Sequence, residues 1–326
     1  MRRDRPGEGL PSMTSRIVAV TLNAAIDKTY YMPAWQAGKV MRAERVIAAA
    51  GGKGINVARV LRHLGHEDVT ATGFAAGYNG RFIAEQVRAA GIGSDFVEAD
   101  GESRLCLNFM DGRDGSSTEV LEPGPDIRPE DEQAMRAKIR ELASGAALVI
   151  FSGSLPRGCS PDLYAELIGI AREAGAEAFL DASGAALTAG LAARPAFIKP
   201  NEDEIRPWMA GEEGGEAGFR QAAAALAASG IPNVAVTLGA EGAVAGADGR
   251  LYRVRIPRIQ AVNAVGSGDA FVAGFAFGFV RGWPVERSLR HAAAAGCANA
   301  LSDAAGQVNP ADHERLLREI DVDVLD

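Results

Sequence analysis

The chain has 326 residues, 47% hydrophobic and 23% charged, with a formal net charge of −8. Such a chain can bury a large core, as one α/β domain or a domain with a small appendage, and this balance excludes a disordered protein. The acidic charge argues against a general nucleic-acid binder, and the longest apolar runs, such as Ala146 to Phe151, fall far short of the roughly 20 residues of a membrane-spanning helix.

Cys106, Cys159 and Cys297 are odd in number and widely spaced, which offers no disulfide framework and points to a reducing cytoplasm. The first fifteen residues are polar and lack the apolar middle of a secretion signal. They are expected to form a loose tail over 1–15 ahead of a folded domain over 16–326. Met13 immediately precedes the first strand-like run and is an alternative translation start to Met1.

Arg16 to Leu22, RIVAVTL, has the composition of a buried strand. Asn23 and Asp27 follow at its carboxyl end, where ligands collect in a parallel α/β sheet, although an ordinary polar loop fits the position equally. Tyr30 to Trp35, aromatic and interrupted by Pro33, suggests an edge strand outside the main core. Gly51 to Ala58, GGKGINVA, joins a glycine turn to an amphipathic helix running to about Leu64. Lys53 there is a compact positive charge suited to a phosphate, and Asn56 can both donate to and accept from sugar hydroxyls. The plainer alternative is a helix behind a glycine turn with a solvated lysine. His63 and His66 lack a nearby third ligand and read as surface residues.

Val69 to Phe74 suits a strand and Asn79 to Ala90 a helix. Between Gly101 and Leu121, SRLCLNFMD and STEVLEPG are joined by GRDGS in a hairpin pattern. With Tyr30 to Trp35 it would form a small sheet, from segments at about 29–45 and 101–122, folding over one end of the core. Arg104 would face the cleft or stand as an edge-strand charge. Beyond Pro129 the pattern is doubly wound: helix Glu130 to Leu142, strand Ala147 to Phe151, helix Pro161 to Ala174 and strand Ala178 to Asp181. Ser152 lies just past a strand's carboxyl end, the expected ligand edge.

Ala196 to Lys199 is a short strand leading to Asn201 and Glu204, one helical turn apart. That spacing lets both face a hydrated magnesium ion or nucleotide phosphates, or lets Glu204 simply complement the helix dipole. Asn233 to Leu238 is a strand, and Gly239, Glu241 and Gly242 turn into an antiparallel pair, Gly242 to Gly246 and Gly249 to Ile256. Val262 to Phe271, VNAVGSGDAF, then sets Gly266 and Gly268 before a helix beginning at about Gly268. A helix start collects unpaired N–H groups and partial positive charge, so it attracts phosphate. Asp269 would cap that helix or take a proton from an attacking hydroxyl. Helices from Pro284 to about Leu301 and from Pro310 to Ile320 close the chain.

Taken together, GGKGINVA, NEDE and VGSGD, in that order and spacing, resemble the ribokinase-like (PfkB) sugar kinases. The resemblance runs from about Arg16 to Ile320 and includes TLNAAID, VLEPGP, FSGSLP and IKPNEDE. It is nearest to the branch containing 1-phosphofructokinase and tagatose-6-phosphate kinase. It implies a three-layer αβα sandwich with a mostly parallel central sheet and a small β-sheet lid. It also implies ATP and Mg2+ as cofactors and transfer of a phosphoryl group to a ketohexose phosphate. Fructose 1-phosphate comes first among these acceptors, with tagatose 6-phosphate and fructose 6-phosphate as alternatives, and a catalytically silent sugar-phosphate sensor is the reading from another class.

By this resemblance Asp269 is the base, and Gly266, Ser267 and Gly268 form the anion hole. Lys53 and Arg104 would hold the substrate's phosphate, with Asp27, Gly52 and Asn56 on the sugar. Asn201 and Glu204 would organise magnesium, Glu204 through water. Lys199, Thr237, Gly239, Gly242 and Asn299 would surround ATP. Many members carry Asp where this chain has Asn263, a position that contributes to a monovalent-cation site. A homodimer through the lid sheets is expected, because an exposed hairpin invites pairing.

Overall fold

The computed structural model describes residues 16–209 and 215–325; the expected tail over 1–15 lies outside them. Strands β1 (Ile17–Thr21), β2 (Ala25–Met32), β3 (Arg45–Gly51), β4 (Val69–Ala76), β5 (Gly93–Ser94) and β6 (Val97–Ala99) come first. They are followed by β7 (Arg104–Asp111), β8 (Ser117–Leu121), β9 (Leu148–Ser152), β10 (Glu177–Asp181) and β11 (Phe197–Ile198). The last are β12 (Asn233–Thr237), β13 (Ala243–Ala247), β14 (Arg250–Arg255) and β15 (Asp321–Leu325). The helices are α1 (Lys53–His63), α2 (Gly77–Ala89), α3 (Pro129–Ala143), α4 (Leu163–Glu173) and α5 (Gly184–Leu191). Then come α6 (Glu202–Ile205), α7 (Glu216–Ala228), α8 (Ser267–Phe279), α9 (Val285–Ala300) and α10 (Pro310–Leu316).

The large sheet runs β15-β14-β13-β12-β11-β10-β9-β1-β4-β5, parallel from β5 to β12 and antiparallel beyond, with β6 beside β4. Period-2 alternation sorts its side chains to two faces. In β1, Ile17 and Ala19 join the core under α1, α8 and α9, while Val18 and Val20 join the core under α3, α4 and α7. Both faces are therefore apolar, as a parallel sheet covered by helices requires. Phe275 of α8 stacks on Phe197 of β11 with centroids 4.3 Å apart, and Phe197 meets Phe179 of β10 at 4.9 Å. Aromatic packing of this kind fixes α8 on the sheet and so sets where its first turn points. The result is the αβα sandwich with a small second sheet. No helix among the described residues is long and apolar enough to cross a membrane.

The small sheet runs β3-β2-β7-β8. The expected edge strand at Tyr30 to Trp35 proves to be β2, which starts earlier at Ala25 and is central, pairing with β3 on one side and β7 on the other. Most of β2 is only half-buried, so it lacks the apolar signature of a central strand. For the same reason the exposed residues that open β3 gave no strand signal. Four further corrections concern the main domain. Helices α5 and α7 were not anticipated, and the final helix stops at Leu316 so that Asp321–Leu325 can pair with β14 as an edge strand. His66 is buried against Phe277, its ring near the Arg281 guanidinium, because α1 ends beneath α8 rather than in solvent.

Candidate active site

A cavity of about 1300 Å³ opens between the small sheet and the carboxyl edge of the large one. Asp27, Gly52, Lys53, Asn56, Arg104, Lys199, Asn201, Thr237, Gly239, Gly242, Gly266, Ser267, Gly268 and Asp269 all line it. The two remote glycine segments thus meet across one space. Gly266 caps α8 with φ 83°, a left-handed conformation that favours glycine, and a Cβ there would lie 2.9 Å from Ala305 Cβ. Gly51 is needed for a different reason: a Cβ there would stand 2.2 Å from the Asp27 carboxyl.

Asp269 is buried at the start of α8, and Asn56 Nδ2 donates to its Oδ2 at 2.9 Å. Burial pushes its carboxyl up to about 7; Asp181 adds to that push, while Lys53, the Asn56 bond and Lys199 pull it back. A carboxyl near neutrality is matched to taking a proton from an alcohol at physiological pH. Lys53 Nζ lies 3.2 Å from Asp181 Oδ2, and Lys199 Nζ lies 3.3 Å from Asp181 Oδ1. Burial opposes the charge on Lys53, yet Asp181, Asp269 and Glu204 outweigh it and hold the ammonium above its ordinary value. Asp181 is likewise disfavoured as an anion by burial, but Lys199 and Lys53 hold it below the usual carboxylate range. A lysine pair bridged by one carboxylate offers a cationic floor without two unpaired buried charges.

On the lid side Arg104 Nε donates to Asn23 O at 3.1 Å, and Asn23 Nδ2 donates to Pro123 O at 3.2 Å. Burial raises the Asp27 carboxyl, against the pull of Arg59 and Arg104. Asn201 Oδ1 accepts from the N–H groups of Asp203 and Glu204, while Glu204 Oε2 accepts from the Asn201 N–H at 3.0 Å. The pair forms a capping box at the start of α6, and Glu204 does not line the cavity. In place of the expected Asp, the Asn263 amide joins two loops: Oδ1 accepts from Val265 N–H at 2.9 Å and Nδ2 donates to Asp303 O at 3.2 Å.

Two expected contacts are placed elsewhere. Ser152 is fully buried, its Oγ without a partner among the described residues, and it does not line the cavity; it is still within β9, paired with Asp181 of β10. Asn299 is also buried. Its Nδ2 donates to Val265 O at 2.8 Å and its Oδ1 accepts from Gly306 N–H at 2.8 Å, so it braces the glycine loop from beneath. Asp181 and Arg59 went unrecognised. Asp181 closes the strand EAFLD at the ligand edge, and Arg59 follows Asn56 by three residues on α1, so both carried a positional signal.

A model of the pfkB family carbohydrate kinases matches residues 18–312. The chain belongs to the pfkB family. Tagatose-6-phosphate kinase of Staphylococcus epidermidis is 35% identical to this family member over 309 residues, covering 94% of this chain and 99% of that one. Phosphofructokinase-2 from Escherichia coli in complex with potassium superposes with a TM-score of 0.88 at 27% identity, covering 93% of this chain and 98% of that one. The same enzyme in complex with fructose-6-phosphate gives 0.86 at 27% identity, with the same coverage of 93% and 98%. This pfkB-family chain is accordingly a phosphotransferase that uses an alcohol group as acceptor.

Proposed function

We propose that this kinase moves the γ-phosphoryl of ATP to a primary hydroxyl of a ketohexose monophosphate, with Asp269 as general base. The observation that carries this reading is the meeting of Lys53 and Asp269 in one cavity, with the buried Asp269 carboxyl near neutrality and oriented by Asn56. The cavity's volume exceeds the roughly 300–1,000 Å³ of a single-ligand pocket. Two ligands meeting end to end fit it better. Lys53 and Arg104 would hold the acceptor's phosphate, with Asp27, Gly52 and Asn56 on the sugar. Lys199, Thr237, Gly239 and Gly242 would face the nucleotide.

Among the described residues no cluster of three or more His, Cys, Asp or Glu could hold a metal unaided. Mg2+ keeps its waters and takes one or two carboxylates plus substrate phosphates; Glu204, whose charge is felt by Lys53, would act through water. Bound there, magnesium would neutralise phosphate charge. Asp269 accepts the hydroxyl proton as the new P–O bond forms, and the first turn of α8 stabilises the transferring group. The small sheet excludes water, so that the phosphoryl is not lost to solvent.

Tagatose 6-phosphate, fructose 6-phosphate and fructose 1-phosphate each carry a phosphate at one end and a free primary hydroxyl at the other. The 35% identity to a tagatose-6-phosphate kinase over nearly the whole chain supports tagatose 6-phosphate ahead of the fructose 1-phosphate that the motifs favour. ADP release measured with the three acceptors ranks them by kcat/KM, and no release with any of them would leave the sensor reading in its place. A homodimer is part of the proposal: the edge strands β3 and β8 expose Val46 (45%) and Leu121 (60%). Light scattering should give twice the chain mass, and Leu121→Asp should shift it toward the monomer.

A further inference from the structure

Arg59 has no part in the roles assigned above, yet its half-buried guanidinium sits where three pieces of the site converge. Nη2 donates to Ala50 O at 2.6 Å, at the end of β3 where the small sheet joins α1. Nη1 donates to Ala305 O at 3.1 Å and to Asn56 Oδ1 at 3.2 Å. Asn56 spends its other end on Asp269. An amide presents one acceptor and one donor end, so a guanidinium on the oxygen leaves the nitrogen for the carboxylate. Turned over, Asn56 would face Arg59 with a second donor and Asp269 with a second acceptor, and both contacts would become repulsive. The Ala305 contact extends the chain of bonds: Gly306 N–H donates to Asn299, and Asn299 donates to Val265 O just before the glycine turn.

We infer that Arg59 is a positioning residue that locks the Asn56 amide toward Asp269 and ties the root of the small sheet to the loop behind the anion cradle. The guanidinium suits this better than an ammonium, because its planar fork reaches separate acceptors at fixed angles. The inference rests on Asp269 being the base in the proposed transfer.

The test is a double-mutant cycle of Arg59→Met and Asn56→Ala, with the pH dependence of kcat/KM for the best ketohexose phosphate as readout and a thermal melt to verify folding. Arg59→Met should move the acidic limb upward by about one pH unit and lower kcat/KM on the order of tenfold, because Asp269 loses an oriented donor. In the Asn56→Ala background the same change should move the limb clearly less, because only the loss of Arg59's pull on the facing Asp27 carboxyl remains. Additive shifts, or an unmoved limb in the single variant, would overturn the inference. If Arg59→Met does not fold, Arg59→Lys enters the same cycle; one ammonium cannot hold all three acceptors, so a smaller shift of the same sign is expected. If the wild type turns over no ketohexose phosphate, the proposed function fails on its own account. The cycle is then read from the pH dependence of unfolding, which reports the Asp269 proton without catalysis, with the same outcomes deciding it.

Discussion

Replacing Asp269 with asparagine should make the protein more stable while stopping its chemistry, and the gain should depend on pH. The Asp269 carboxyl titrates at 3.8 in its ordinary state and at about 7 in the folded protein, mainly because burial penalises the anion. Below pH 3.8 it is protonated whether the chain is folded or not, and no stability is lost. Between 3.8 and about 7 the unfolded chain releases its proton first, so folding weakens as pH rises; above 7 the loss is constant. Each pH unit is worth about 1.4 kcal/mol, so the full loss is about 4 kcal/mol. The amide in Asp269→Asn has no proton to release, and its oxygen can still accept from Asn56. Urea unfolding of both proteins at pH 5, 6.5 and 8 should therefore show the variant's advantage growing from about 2 toward about 4 kcal/mol. Turnover should fall by at least about a hundredfold. An advantage that is flat with pH, or a wild type more stable at pH 8, would show that Asp269 is not held near neutrality by burial, and the case for it as the base would go with it.

Lys53→Ala should raise KM for the sugar phosphate roughly 10- to 100-fold and leave that for ATP nearly unchanged, as loss of one charge-assisted bond implies; equal weakening of both would contradict its place on the acceptor. Asp181→Ala leaves Lys199, only 5% exposed, and Lys53, 39% exposed, facing each other without their shared anion. The loss should lie near the lower end of the roughly 3–5 kcal/mol typical of a broken buried pair, read as a drop in the urea midpoint, and a change below about 1 kcal/mol would refute the pairing. Gly266→Ala sets a Cβ against Ala305 in a left-handed conformation and should cost on the order of 1–2 kcal/mol with a larger fall in kcat than in substrate affinity, which steady-state kinetics would show. His291, whose imidazole burial pushes down to about 4 from 6.5, favours folding only while neutral. Stability should thus fall as pH drops from 6.5 toward 4, and His291→Phe should blunt that fall in melts across the range.

The doubly wound core was legible because its strands are short apolar runs and its longest helices carry the apolar stripe that burial demands. Strand β1 and helix α1 illustrate it, each flanked by glycine or polar residues where the ligand edge lies. The small sheet was legible at its hairpin, where GRDGS marks the turn, and at the aromatic Tyr30 to Trp35 end of β2, which reads as an edge strand and not a central one. Strands β2 and β3 expose part of both faces, to cavity and solvent, and so share neither the alternation nor the apolar run that announces a strand. Helix α7 escaped for another reason: its run of alanines packs closely on β12 and β13 but has little periodic contrast.

The site divides along the same line. Gly266, Asp269 and Lys53 sit in local patterns that constrain the backbone, and a backbone constraint is visible in sequence. Asp181 and Arg59 matter through partners far away in the chain: Asp181 answers Lys53 and Lys199, and Arg59 answers Ala50, Asn56 and Ala305. Their positions, at a strand's ligand edge and one helical turn past Asn56, were visible in the sequence, but the partners they answer were not; the need for them could still be deduced. Lysines drawn toward a buried phosphate pocket require a carboxylate to share before the phosphate arrives, since an unpaired buried ammonium would otherwise lose its proton or open the cavity to water. A buried base beside a flippable amide equally requires something to decide which end of the amide it meets. The folded chain supplies one from the carboxyl end of a strand at the ligand edge and the other from one helical turn beyond Asn56, and such positions are where silent partners should be sought first.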